Sequence, residues 1–262
     1  MSQNKTSHAL EIDAIPAFDD NYIWLLHRGG KHAAVVDPGD ADPVLQALSD
    51  RGLELRTILI THHHWDHAGG VPDLLRHYQA RVYGPDDERL GDWNQACHEG
   101  DRVSLPELDL HFEVLDVPAH TRSHIAFHGH GLLFSGDTLF SVGCGRFFEG
   151  TPEQMQLAMD KLRQLPAQTA VYCGHEYTES NCQFALAVEP DNTALQARYA
   201  EVKALRSGGQ RTLPSTLGAE LATNPFLRTR EPAVVAAAQE QDQRARAGSS
   251  TMATLRAWKD RS

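Results

Sequence analysis

His62, His64 and His67 lie within six residues, with Asp66 among them, in the run Thr61-His62-His63-His64-Trp65-Asp66-His67. Neutral imidazole and carboxylate are the side chains that Zn²⁺ and Fe²⁺ take as ligands. Where a strand ends in a loop, side chains two apart can converge, so His62 and His64 can share one metal. Asp66 and His67 then face a neighbouring position. Gly69-Gly70 lets the chain turn tightly away. A polar surface loop has no reason to gather these residue types at this spacing. Four ligands do not complete two metal sites, and three later strand ends offer the same chemistry: Val117-Pro-Ala-His-Thr-Arg-Ser-His124, Phe134-Ser-Gly-Asp-Thr-Leu139 and Tyr172-Cys-Gly-His-Glu176. In each, an apolar strand runs into a small residue or Pro, then into His or Asp, as in sites built on loops above a rigid sheet.

The positioning elements are legible around these loops. Leu10 to Ile15 alternates apolar and polar residues, as a half-buried strand does. Asn21 to Leu26 and Ala33 to Val36 are apolar runs, with Arg28-Gly-Gly-Lys31 as the turn between them. Asp42 to Arg51 is predicted helical, with Asp42 as cap, Pro43 at the first position and Gly52 past the end. Arg56 to Ile60 is a short buried strand that delivers the chain to the histidine run, and Gly70 to Tyr78 is the next helix. Further strands are expected at Arg81–Tyr83, Leu108–Val117, His124–Phe127, Leu132–Phe134 and Ala170–Cys173, with a capped helix over Thr151–Leu165. From Asn181 onward strand signals nearly vanish, and Thr193–Leu205, Pro232–Gln243 and Ser249–Lys259 read as helices. The organisation is therefore sheets with helices outside, over residues 1–177, and a helical appendage over 178–262.

Composition narrows the function. The chain has 262 residues, 41% hydrophobic and 23% charged, ordinary for a globular protein. Its net charge of -11, from 24 basic and 35 acidic residues, disfavours nucleic acid as a partner. No apolar run approaches the roughly 20 residues needed to cross a bilayer. Met1 to His8 is polar and lacks the apolar stretch of a signal peptide. Cys97, Cys144, Cys173 and Cys182 form no CxxC pair, so reduced, buried thiols are expected. The expected protein is a cytoplasmic monomer with a small-molecule substrate, no membrane and no nucleic acid.

These residues resemble the metallo-β-lactamase superfamily, an α/β fold in which an αββα sandwich carries the signature THxHxDH. The resemblance covers residues 10–177, and within it His120, Asp137 and His175 fall in order at the remaining ligand positions. It implies two divalent metal ions per chain, zinc in the first place with iron or manganese as alternatives. His62, His64 and His120 would hold one, Asp66, His67 and His175 the other, and Asp137 would bridge them. Asp66 would also be catalytic, orienting the nucleophile. His63 and His124 match no ligand position. Within the superfamily, Asp20–Ile23, Ser135–Thr151, Cys173–Thr178, Asn224–Arg228 and the tail Arg256-Ala-Trp-Lys-Asp260 look like the hydroxyacylglutathione hydrolases (glyoxalase II), whose smaller all-α C-terminal domain grips glutathione. By that resemblance Arg146, Tyr177, Asn181, Arg256 and Lys259 bind substrate. The physics agrees: glutathione carries carboxylates, and an acidic protein needs a local cluster of Arg and Lys to attract them.

The implied reaction is hydrolysis of the glutathione thioester S-D-lactoylglutathione to D-lactate and glutathione, the second step of methylglyoxal detoxification. A bound metal lowers the pKa of water to about 7, and a thiolate leaves with little help. Two positions depart from the family pattern: Phe148 stands where Tyr is usual, and Ser123 where Gly is usual. A β-lactamase of this fold would be exported, a nuclease would need a basic surface, and a persulfide dioxygenase would use one iron. The Arg146 loop and the helical tail favour the hydrolase over that dioxygenase, and seven intact ligands speak against a non-catalytic metal- or thiol-binding module.

Overall fold

The computed structural model describes residues 9–262. The reading of Met1 to His8 falls outside them. Strands β1 (Glu11–Ala17), β2 (Asn21–His27) and β3 (His32–Val36) form an antiparallel meander. Helix α1 (Ala41–Arg51) returns the chain so that β4 (Glu54–Leu59) lies parallel to β3. Two short helices, α2 (Trp65–Ala68) and α3 (Val71–His77), precede β5 (Arg81–Pro85) and β6 (Asn94–Cys97), which extend the sheet in parallel. The first sheet thus has the order β1-β2-β3-β4-β5-β6.

The second sheet begins with the antiparallel strands β7 (Arg102–Leu105), β8 (Leu110–Asp116), β9 (Ile125–Gly129) and β10 (Leu132–Gly136). A small hairpin, β11 (Leu139–Phe140) and β12 (Gly143–Cys144), follows. Helix α4 (Pro152–Leu162) then crosses to β13 (Ala170–Cys173), parallel to β10. The remainder is α5 (Thr178–Val188), α6 (Thr193–Ser207), α7 (Leu217–Thr223), α8 (Pro232–Gln241) and α9 (Ser249–Lys259). One strand, β14 (Ser215–Thr216), lies among these helices and pairs with β13, giving the sheet order β14-β13-β10-β9-β8-β7.

Side-chain alternation explains the layering. Along β2, Trp24 and Leu26 point between the sheets to meet Phe112, Phe127 and Phe134, while Ile23 and Leu25 face Val44, Leu48, Val71 and Leu74 of α1 and α3. On the far side, Leu133 and Val171 pack against Met155, Met159 and Leu162 of α4 in a core that also takes in Phe184, Met252 and Leu255. Two sheets back to back with helices outside both make the αββα sandwich, and the C-terminal helices share the core of its second outer layer.

Several boundaries differ from the sequence reading. Helix α1 is capped by Asp40, whose Oδ1 accepts from Asp42 N at 3.1 Å, so Asp42 lies inside the helix rather than capping it. The strand expected from Leu108 starts at Leu110 because Pro106–Leu108 forms a 3₁₀ turn. Helices α5 and α7, strands β6 and β7, the β11–β12 hairpin and β14 are additional elements. The cap of α4 is as read: Thr151 and Gln154 exchange side-chain and backbone hydrogen bonds.

Candidate metal centre and substrate cavity

Four strands run toward one edge of the sandwich and end there. The loop after β4 presents Thr61 to His64, the loop after β8 presents His120, β10 leads into Asp137, and β13 leads into His175. Asp66 and His67 are carried on α2. His62 Nε2 and His120 Nε2 each lie 3.1 Å from His64 Nδ1. His67 Nε2 and His175 Nε2 are 3.3 Å apart, and each is 3.5 Å from Asp66 Oδ2. Between the two groups, Asp137 places Oδ2 3.2 Å from His175 and 3.5 Å from His120, and Oδ1 3.3 Å from His67. Three ligand triads converge: His62-His64-His120, His62-His67-Asp137 and Asp66-His67-His175. All seven residues read as ligands from the sequence meet here.

The outward ring nitrogens are already engaged. His62 Nδ1 meets Thr61 Oγ1 at 3.0 Å, His67 Nδ1 meets Asp37 Oδ2 at 3.1 Å, His120 Nδ1 donates to the Arg146 carbonyl at 3.0 Å and His175 Nδ1 meets Asp20 Oδ1 at 2.7 Å. Such partners fix the tautomer and aim the Nε2 lone pairs inward. Burial pushes His62 well below the ordinary imidazole range and His120 down to about 4, so both are neutral, as a ligand must be. Burial would raise the Asp137 carboxyl, but His67 and His175 outweigh it and hold it well below its usual range. Lone pairs facing one another at 3.1–3.5 Å, with the buried Asp137 Oδ1 lacking a hydrogen-bond partner, match donors about 2.1 Å from a shared ion, which sit roughly 3.4 Å apart. The residues fit a divalent-metal site.

Three residues support the centre in roles the sequence reading did not assign, although Asp20 and Asn21 lie in the segment Asp20–Ile23 noted there. Asp37, 4% exposed and at φ 52, accepts from Thr61 N and Thr61 Oγ1, both at 2.7 Å, besides meeting His67. In the sequence it reads only as the stop after β3. Asp20 orients His175, and Asn21 Nδ2 donates to Asp66 Oδ2 at 3.1 Å. His63 turns outward, 3.6 Å from Asp87 and 3.9 Å from Glu149. His124 is buried, stacks on His62 and accepts from Asp137 N at 3.1 Å.

A cavity of about 460 Å³ opens over this centre. His64, Asp66, His120, Asp137 and His175 form its base, and Arg146, Tyr177, Asn181, Arg256 and Lys259 line its wall. The five wall residues differ in freedom. The Arg146 side chain is 62% exposed, with Nε 3.4 Å from Asp260. Arg256 is buried, and its guanidinium donates to Asp260 Oδ1 and to the Cys144 carbonyl. Tyr177 stacks on His175 at 4.8 Å. Asn181 donates to the Ser141 carbonyl and accepts from Lys259. Burial, and then the neighbouring Arg256, bring the Lys259 ammonium down to about 8. Phe148, 60% exposed, stands edge-on to His64 and tilted against His120 at the mouth. Cys173 is buried and its thiol is pushed up to about 12, which leaves no thiolate nucleophile here.

Comparison with known proteins places these features in a family. Residues 17–95 and 98–175 match the metallo-beta-lactamase superfamily, and residues 176–262 match the hydroxyacylglutathione hydrolase C-terminus. A hydroxyacylglutathione hydrolase of Methylobacillus flagellatus is 55% identical over 87% of this chain and 91% of its own length. Another, of Pseudomonas fluorescens, is 51% identical over 96% of this chain and 99% of its own length. Among solved structures, TTHA1623 in a di-iron-bound form superposes with a TM-score of 0.58 at 25% identity, over 82% of this chain and 99% of that one. With the sandwich matched over residues 17–95 and 98–175, the C-terminal helices over 176–262, and relatives more than 50% identical over most of the chain, the chain belongs to the hydroxyacylglutathione hydrolase family of the metallo-β-lactamase superfamily.

Proposed function

We infer that this chain is a thioester hydrolase that converts S-(2-hydroxyacyl)glutathione, S-D-lactoylglutathione in the first place, and water to the 2-hydroxy acid and glutathione. This is the second step of methylglyoxal detoxification. The observation that carries the reading is the cavity itself: a His/Asp metal centre at its base and Arg146, Arg256 and Lys259 on its wall, in a protein of net charge -11. We propose two divalent ions per chain, zinc first, with iron or manganese compatible with the same donors. The di-iron form of TTHA1623 supports that stoichiometry.

When bound, the metals activate water at neutral pH and polarise the thioester carbonyl. The chain's own residues do the rest. Asp66, held by Asn21, lies at the cavity base where its free carboxylate edge can accept a proton from the attacking water and orient it. Lys259 and Arg146 attract the glutathione carboxylates, Arg146 as the exposed charge and Lys259 as the half-buried one. Arg256 is committed to Cys144 and Asp260, so it contributes charge and holds the wall in place. Tyr177 and Asn181 give the peptide part a polar surface beside His175. The thiolate leaves without a dedicated acid, because thiols are far stronger acids than alcohols or amines.

We further propose that residues 1–177 carry the chemistry and 178–262 the grip on glutathione, in a monomer whose cavity is built from one chain. Four free, buried cysteines support a reducing compartment such as the cytoplasm. Among the described residues no helix is long and apolar enough to cross a membrane. The test is loss of thioester absorbance on mixing metal-loaded protein with S-D-lactoylglutathione. Turnover abolished by chelation and restored by zinc is expected, and no turnover after reconstitution would overturn the assignment.

A further inference from the structure

The segment Asn224-Pro-Phe-Leu-Arg228 and the nearby Glu220 take no part in the chemistry above, yet Glu220 and Asn224 are 1% and 0% exposed. Both converge on the β11–β12 hairpin. Its turn is Ser141-Val142, between the paired Phe140 and Gly143. Val142 sits at φ 57. A two-residue turn with a left-handed second position normally takes Gly or Asn there, because a β-branched side chain is strained in that region. Such strain persists only where the surroundings over-determine it.

Here they do. Val142 N donates to Glu220 Oε2 at 2.7 Å. Asn224 Nδ2 lies 3.2 Å from the Phe140 carbonyl, 3.0 Å from the Gly143 carbonyl and 3.1 Å from Glu220 Oε2. The hairpin in turn governs the site. It begins two residues after Asp137 and delivers Gly145 and Arg146. Gly145 N donates to the Thr138 carbonyl at 3.3 Å, and the Arg146 carbonyl receives His120 Nδ1. A Cβ on Gly145 would lie 2.0 Å from the Asp137 carbonyl oxygen, so the two segments have no slack between them.

We propose that Glu220 and Asn224 are positioning residues: from the C-terminal layer they hold the Ser141-Val142 turn in its left-handed form and so set the placement of Arg146 and the orientation of His120. The proposal rests on the hydrolase reading for its kinetic consequence, and on geometry alone for its structural one.

The test pairs kinetics with amide hydrogen exchange. Glu220→Ala should speed exchange across residues 139–146 and lower kcat/KM for the thioester by about 10- to 100-fold, with KM raised. Glu220→Gln keeps an acceptor for Val142 N and should restore slow exchange and a near-normal KM. Val142→Gly, which needs no clamp for a left-handed turn, should recover at least half of the logarithmic loss when combined with Glu220→Ala. Val142 also packs against Cys182 and Leu195, so its removal lowers Tm by itself, and exchange and KM are the readouts. If Glu220→Ala does not accumulate, Asn224→Asp, which keeps the acceptor for Phe226 N but removes the donor to the hairpin, should show the same pattern. Unchanged exchange and KM in the Glu220→Ala or Asn224→Asp variant, or failure of Val142→Gly to rescue, overturns the clamp. A wild-type protein inactive on the thioester would instead overturn the hydrolase reading, while the exchange measurements still decide the clamp.

Discussion

Asp37→Asn isolates one carboxylate that serves both halves of the metal centre. Asp37 Oδ1 accepts from Thr61 N, a bond the amide oxygen of Asn can keep. Its Oδ2 receives Thr61 Oγ1 at 2.7 Å and His67 Nδ1 at 3.1 Å. An NH₂ in that place still suits Thr61, whose hydroxyl can rotate to accept, but it faces the His67 N–H with a second donor. Asn also tolerates φ 52 as readily as Asp, so the backbone is not the variable. One charge-assisted bond is therefore lost, worth about 1.5–3 kcal/mol. At about 1.4 kcal/mol per factor of ten, metal retention at the Asp66-His67-His175 end should weaken roughly 10- to 100-fold. Chelator competition with metal analysis measures this directly, and one equivalent should be lost well before the other. Equal retention of both equivalents, or equal weakening of both, would refute the argument that Asp37 acts through His67.

Three further outcomes follow from the site. KM for the thioester should rise as pH increases through about 8, because Lys259 is charged below that value and neutral above it; in Lys259→Arg, whose charge does not titrate there, the rise should disappear. Phe148→Tyr should lower KM about three- to tenfold with kcat unchanged, since it adds one hydrogen-bonding group at the cavity mouth; a change confined to kcat would place Phe148 elsewhere in the reaction. Gly174→Ala should cost metal and activity together, because its Cβ would come 2.6 Å from both Asp137 Oδ1 and His67 Cε1; full metal content by elemental analysis would contradict this.

The candidate ligands were legible because their chemistry is rare and their placement local: they follow strand ends, four lie in one short run, and all seven converge. The layered fold was legible for a related reason, since apolar runs such as Asn21–His27 and His32–Val36 and the alternation along Leu110–Asp116 mark buried strands. What stayed hidden depends on distant partners. Asp37 in Asp37-Pro-Gly-Asp40 looks like turn chemistry, and its buried role depends on Thr61 and His67 lying across from it. Helix α5 is buried along Cys182, Phe184, Ala185 and Val188 between other elements, so its sequence lacks a clear polar face. Strand β6 is Asn-Gln-Ala-Cys at a sheet edge, too polar to announce itself. Arg256 reads from the sequence as one of the cations that bind substrate, and nothing there shows that Cys144 and Asp260 engage its guanidinium.

The pairing of β14 with β13 bears on how the chain is made. During synthesis, every candidate ligand has emerged once His175 is out, yet the edge of β13 stays bare until Ser215 and Thr216 follow. An open strand edge is a template for association with another chain. The outer face of the same sheet also waits for Phe184, Met252 and Leu255. The nascent metal-binding half therefore waits for Thr216 to complete its sheet and for Leu255 to cover the outer face, a window in which a holding chaperone would have the most to protect.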